Sequence, residues 1–187
     1  MSALGRWAGR IIRSVGVRRA RAAPADVLAA AVAVMRAKKY CLLVTTTPAG
    51  TNARVVQPFR PRRGSLAVHI GTSPRSRKVA EIRETGNALL VYERDRDAAC
   101  VVAHCTAEIL DDERGRERWF MPTWRAFWPD GPETVGTPDQ PGFVVVRLTP
   151  YALEVWDGRR GITPRPFGLA SARLERDGDH WRHLADS

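Results

Sequence analysis

The sequence has little cysteine and no long apolar run. Cys41, Cys100 and Cys105 are the only cysteines in 187 residues, an odd number with no Cys-x-x-Cys pair. A disulfide framework and a zinc-ribbon spacing are both excluded, and thiols within strand-like runs read as reduced core residues of a cytoplasmic protein. His104 and Cys105 are neighbours on a predicted strand and point to opposite faces, so they cannot share one ion, and no metal site is expected. No apolar stretch approaches the roughly 20 residues needed to span a bilayer. The start of the chain lacks the continuous apolar core of a secretory signal. No Ser-His-Asp or Cys-His arrangement can be assembled from the spacing, which leaves no basis for a hydrolase and no assignable catalytic acid or base. There is no internal repeat.

Acid is missing from the first 24 residues, which carry Arg6, Arg10, Arg13, Arg18, Arg19 and Arg21. The whole chain has a formal charge of +10, so the rest is near +4. This divides the chain into a basic extension, residues 1–24, and one domain, residues 25–187. The extension reads as a solvated tail. Leu4, Trp7, Ile11, Ile12 and Val15 are close to helical spacing, so a weak amphipathic helix against an anionic surface and an organelle transit peptide are the sharper readings. With 44% hydrophobic and 27% charged residues, the body is that of a globular protein long enough for a real core.

Asp26 is placed to cap a helix over 27–39. Strands are predicted over 40–46, 53–60, 65–71, 88–92, 99–110, 143–148 and 152–156, with a final hairpin, 170–176 and 180–184, around Asp177-Gly178-Asp179. Helices are predicted over 76–85, with Val79, Ile82 and Arg83 on one face, and from Asp111 or Asp112 through Trp119 and Phe120. Residues 121–142 read as an ordered loop with short helical turns. Many short strands separated by turns predict an antiparallel β-barrel rather than a doubly wound parallel sheet.

The segment Thr72-Ser73-Pro74-Arg75-Ser76-Arg77-Lys78 lies between a strand and a helix. Free N–H groups and the dipole at a helix N-terminus favour an anion, and Arg77 and Lys78 add charge-assisted donors. A Ser cap with solvated basic neighbours is the plainer reading of the same residues.

The order of these motifs resembles the FMN-binding split-barrel family typified by pyridoxamine 5′-phosphate oxidase, and more closely its general stress protein branch. The resemblance rests on Ala53-Arg54-Val55-Val56-Gln57-Pro58, on Thr72, Ser76, Arg77 and Lys78, on the long fifth strand and acid-capped helix of 100–120, and on Trp124, Phe127, Trp128, Pro129 and Glu154-Val155-Trp156. It implies an antiparallel split β-barrel with flanking helices, of α+β class. It also implies a homodimer with FMN in a groove at its interface. By the same resemblance Arg54, Arg77 and Lys78 hold the phosphate and Thr72 and Ser76 add hydroxyl or backbone contacts. Val55, Val56 and Gln57 lie along the ring, and Trp156 belongs to the cofactor site. The implied activity is a flavin-dependent oxidoreductase acting on a small-molecule redox substrate. A deazaflavin in place of FMN, and a protein that only binds or senses flavin or tetrapyrrole, are the alternatives.

The chain departs from that pattern in two places. The family's pyridoxamine phosphate oxidases carry Arg-Leu-His-Asp-Arg soon after the late Trp, where this chain has Asp157-Gly158-Arg159-Arg160-Gly161, which argues against that reaction. Cys100 stands where many relatives have Gln near the flavin. Trp119, Trp124, Trp128, Phe120 and Phe127 read as packing rather than as a lid. His69 reads as a satisfied barrel residue, Arg159 and Arg160 as a solvated turn, and His180 and His183 as surface residues.

Overall fold

A computed structural model describes residues 22–62, 65–133, 142–163 and 171–184. Residues 1–21 of the basic extension, Arg63 and Gly64, the later part of the Trp-rich loop (134–141), and residues 164–170 and 185–187 lie outside the described residues.

Among the described residues the chain forms α1 (Pro24–Ala37), β1 (Cys41–Thr47), β2 (Gly50–Val56), β3 (Val68–Thr72), α2 (Arg77–Thr85), β4 (Asn87–Arg94), β5 (Ala99–Leu110), α3 (Glu113–Trp119), β6 (Val144–Asp157), β7 (Ala172–Asp177) and β8 (His180–His183). The strands join in the order β2-β1-β4-β5-β6-β7-β8, with β3 paired to β6 off this path. The pairs β1–β2, β3–β6, β6–β7 and β7–β8 are antiparallel.

The chain divides into two compact units. One gathers the described residues up to Lys38, then Val91–Ala103, then those from Tyr151 onward. Its helix α1 buries Val27, Ala30, Ala31, Val34 and Met35, the i, i+3, i+4 stripe of an amphipathic helix. Tyr92, Val101, Leu153, Val155 and Leu174 complete that core. The other unit comprises Lys39–Leu90 and His104–Pro150. Here Leu43, Val68, Ile70, Val79, Ile82, Leu90, Cys105 and Val144–Val146 are buried. Each fully buried residue of this size contributes about 1.5–3 kcal/mol.

Several expectations are corrected. Helix α1 starts at Pro24, after an Ala23 cap position, and Asp26 lies inside its first turn. Proline at the first helical position needs no N–H partner and arrives with helical φ, so it sets the start ahead of the acid. Strand β2 ends at Val56 rather than Arg60, before Pro58. The predicted strands 143–148 and 152–156 are one strand, β6, which runs through Pro150. β3 pairs with Val144–Leu148 and β7 with Ala152–Val155, so Pro150 falls between these two ladders. The buried face of α2 carries Val79, Glu81 and Ile82. Arg83 is not on that face but is half exposed, 3.8 Å from Asp111.

Other expectations hold closely. Strand β5 has the predicted bounds. Asp112 caps α3 by accepting from the Gly115 N–H at 2.6 Å. Two short 3-10 turns, Pro122–Ala126 and Gly131–Glu133, occupy the described part of the Trp-rich loop.

Candidate functional site

The second unit brings most of the predicted anion-binding residues together. Strand β3 buries Val68, Ile70 and Thr72 on one face and leaves His69 and Gly71 on the other. A short turn then delivers Ser76 to the N-cap position of α2, in extended conformation and without a side-chain cap bond. The Ser76 hydroxyl therefore makes no cap bond; the Val79 N–H is taken instead by the Ser76 carbonyl at 2.9 Å, which leaves the earlier N–H groups of the turn without a capping side chain. Lys78 Nζ donates to Thr72 Oγ1 at 2.9 Å, and Thr72 Oγ1 donates to Ser76 Oγ at 3.4 Å. These three side chains form one polar chain at the strand-to-helix junction.

Arg54 joins them through a residue not anticipated from the sequence. Glu81, buried on α2, accepts from Thr45 Oγ1 at 2.5 Å, from Asn52 Nδ2 at 2.8 Å and from Arg54 Nη2 at 2.7 Å. Arg54 Nη1 also donates to Thr45 Oγ1 at 2.6 Å. Asn52 and Arg54 share one face of β2 two residues apart, and Thr45 lies directly across from Asn52. Two strands of a hairpin thus converge on one carboxylate. Arg77, one helical turn before Glu81, reaches it at 3.6 Å and is 75% exposed. The signals for Glu81 were its i, i+4 spacing from Arg77, its i, i+3 spacing from Lys78, and its place beside Ile82 in the apolar stripe.

The charges are coupled. Burial, the largest influence on Glu81, pushes its carboxyl up. The hydrogen bonds from Thr45 and Arg54 and the charges of Arg54 and Arg77 together outweigh burial and hold it below the ordinary value. Lys78 is held below the usual lysine value first by burial and then by Arg54, with Glu81 opposing. Arg54, Arg77 and Lys78 against Glu81 leave a formal charge of +2.

The other predicted residues fall elsewhere. Val56 is buried, whereas Val55 is 66% exposed and pairs across the hairpin with the exposed Leu42. Gln57 is exposed just past the end of β2. Trp156 belongs to the first unit, and its buried indole N–H has no partner among the described residues. In that unit Cys100 is half-buried, and burial, followed by Glu93 and Glu154, pushes its thiol up. Arg160 lies exposed in the expected turn, which the Asp157–Ile162 bridge closes, and it also donates to the fully buried Asp157 at 3.2 Å. Among the described residues no group of three or more His, Cys, Asp or Glu is arranged to hold a metal.

The aromatics pack on the second face of β3. A Cβ at Gly71 would collide with the Trp124 ring, and Trp124, Trp128 and Phe120 surround Phe143 with centroids 5.2–5.6 Å away. Trp128 Nε1 donates to the Gly142 carbonyl at 2.5 Å. These rings build core and lie across β3 from Thr72.

The family model described as pyridoxamine 5′-phosphate oxidase like matches residues 29–178. No curated protein matches the chain. Among solved structures, it is similar to a pyridoxamine 5′-phosphate oxidase-related, FMN-binding protein of Nostoc punctiforme, with a TM-score of 0.60 and 17% identity over 86% of this chain and 94% of that one. A protein of Clostridium acetobutylicum related to general stress protein 26 gives a TM-score of 0.60 and 15% identity over 79% and 93%. PhzG of Burkholderia lata, in complex with tetrahydrophenazine-1-carboxylic acid, gives 0.58 and 23% over 84% and 86%. At these identities the likeness is one of fold: a mainly antiparallel, split-barrel-like sheet with helices.

Proposed function

This chain belongs to the pyridoxamine 5′-phosphate oxidase like family, and from that premise we propose that it binds FMN by the phosphate and serves as a flavin-dependent oxidoreductase of a small molecule. The observation that carries the reading is the group Thr72, Ser76 and Lys78 at the start of α2, backed by Arg54 and Arg77. Its formal +2 complements a phosphate monoester, which carries about −1.5 to −2 at neutral pH.

Each residue has a task in this reading. Lys78 and the two hydroxyls donate to phosphate oxygens, together with first-turn N–H groups of α2. Arg54 is held rigid by Thr45 and Glu81 and supplies field to the cradle. Val55, with its cross-strand partner Leu42, offers an apolar flank to a flat ring, and Val56 and Gln57 continue that edge. Strand β2 ends the sheet, so its outer backbone groups are open to the ring or to a second copy of the chain. We assign Trp156 to the same cofactor by family resemblance, and we place the cofactor between the subunits of a homodimer. The bound flavin supplies hydride or electron transfer, while the protein binds it, orients it and neutralises its charge.

The test is the absorption spectrum of the purified protein, followed by titration with FMN and with a deazaflavin. Flavin bands that bleach on reduction are expected. A colourless protein with no affinity for either cofactor would overturn the reading, and affinity for the deazaflavin alone would exchange the cofactor while keeping the cradle.

A further inference from the structure

The first unit fixes the point at which the basic extension joins the folded body. The Ala22 carbonyl lies 2.9 Å from His183 Nε2 on β8, a contact between residues 161 positions apart. Ala23 is extended, and its carbonyl accepts from the Asp26 and Val27 N–H groups at 2.9 and 3.1 Å, so α1 begins at once at Pro24. Only Ala22 and Ala23 therefore separate Arg21, the last arginine of the extension, from a helix seated in the core of that unit. The surroundings offer little to repel an anionic partner. On the β7–β8 hairpin, Glu175 and Asp177 are paired with Arg182 at 2.5 and 3.4 Å, and Asp179 with Arg176 at 3.7 Å. The outward side of α1 presents Ala25, Leu28, Ala29, Val32 and Ala33, and Asp26 is the one acid of the helix.

We propose that the extension fastens the protein to an anionic lipid bilayer, lying in the headgroup layer and holding the first unit against the membrane by the start of α1. The extension carries six arginines, and Asp26 is the first acid in the chain. On helical spacing Leu4, Trp7, Ile11 and Val15 fall on one face and Arg6, Arg10 and Arg13 on the opposite one, the division that suits an interfacial segment. A helix over 4–15 is about 18 Å long, against a hydrocarbon core of about 30 Å, so such a segment lies on a bilayer and does not span it. Guanidiniums pair with lipid phosphates, and each one near a charged surface adds to the attraction. A nucleic acid uses the arginines alone and leaves the apolar face idle, whereas a bilayer buries that face, its indole included. With two residues as the whole link, a bound extension brings the body to the surface, where the paired acids of the hairpin and the uncharged side of α1 meet it with little repulsion. The proposal does not rest on the cofactor reading, whose cradle belongs to the other unit.

The experiment is co-sedimentation of the full chain with vesicles of phosphatidylcholine alone and of equal parts phosphatidylcholine and phosphatidylglycerol, beside a gel-shift titration with duplex DNA. The wild type is compared with R6Q/R10Q/R13Q, W7S/I11S and A29E, the last placing a charge on the exposed side of α1. The wild type is expected to sediment with the anionic vesicles only. The triple variant loses about 100-fold in partition, at about five-fold per arginine, and A29E about five-fold. W7S/I11S loses vesicle binding while its DNA titration stays as in the wild type. Thermal unfolding checks that each variant is folded, and the substitutions at separate places keep the test open should one fail. No sedimentation of the wild type with anionic vesicles, or full sedimentation of the triple variant, overturns the proposal. Vesicle binding that W7S/I11S leaves unchanged also overturns it, since the arginines then act alone and a nucleic acid is the occupant that fits. Binding unchanged in A29E overturns the placement of the body against the membrane.

Discussion

Glu81 has Thr45, Asn52, Arg54 and Arg77 as partners, so the cradle depends on one buried carboxylate. Removing it strands a largely buried guanidinium, and E81A is expected to destabilise the fold by about 3–5 kcal/mol in urea unfolding. The sign of its pH dependence follows from the lowered pKa. Its contribution is full above the ordinary carboxyl value and disappears as the pH falls through the lower folded-state value. His69 acts in a different window. Its folded-state value of about 4 lies below the ordinary 6.5, so the unfolded chain takes up the proton first, and stability drops as the pH falls from 6.5 toward 4. H69F keeps a ring against Trp119 and is expected to flatten the stability profile in that window, as thermal unfolding across a pH series would reveal. In the cofactor reading, K78Q removes a charged donor from phosphate, and FMN affinity is expected to fall about 10- to 100-fold by fluorescence titration.

At the scale of elements, β3 and its neighbours tolerate little change. Gly71 lies under Trp124, so G71A forces the indole away and is expected to cost about 1–3 kcal/mol in chemical denaturation. The same element shows what was legible beforehand. Alternation in β3 and β5 and the acid before α3 marked those elements, because the signals are local. The continuity of β6 through Pro150 was not legible, since it depends on which strands pair on either side. The start of α1 was not legible from Asp26, because Pro24 already fixes the first helical residue two positions earlier. The Thr72, Ser76 and Lys78 group was readable as a motif, whereas Glu81 depends on a contact from α2 to the β1–β2 hairpin, between residues 36 positions apart in the case of Thr45. The role of Arg160 was hidden likewise, because nothing in the local pattern says that Asp157 is fully buried.

For the whole molecule, charge is the separable variable. Deleting residues 1–21 removes all six arginines and no acid, leaves α1 intact from Pro24 and gives a body near +4. If the extension is what touches anionic surfaces, the deletion should abolish salt-sensitive retention on anionic vesicles while leaving FMN affinity unchanged, which a co-sedimentation assay beside a flavin titration would check. Strand β3 sets a rule for how such a protein can vary. Its odd-numbered positions serve the His69 side and its even-numbered ones the Thr72 side, so adding one residue within Val68–Thr72 swaps the occupants of the two sides at once. Adding two preserves parity, and change in length at this strand is therefore confined to even steps.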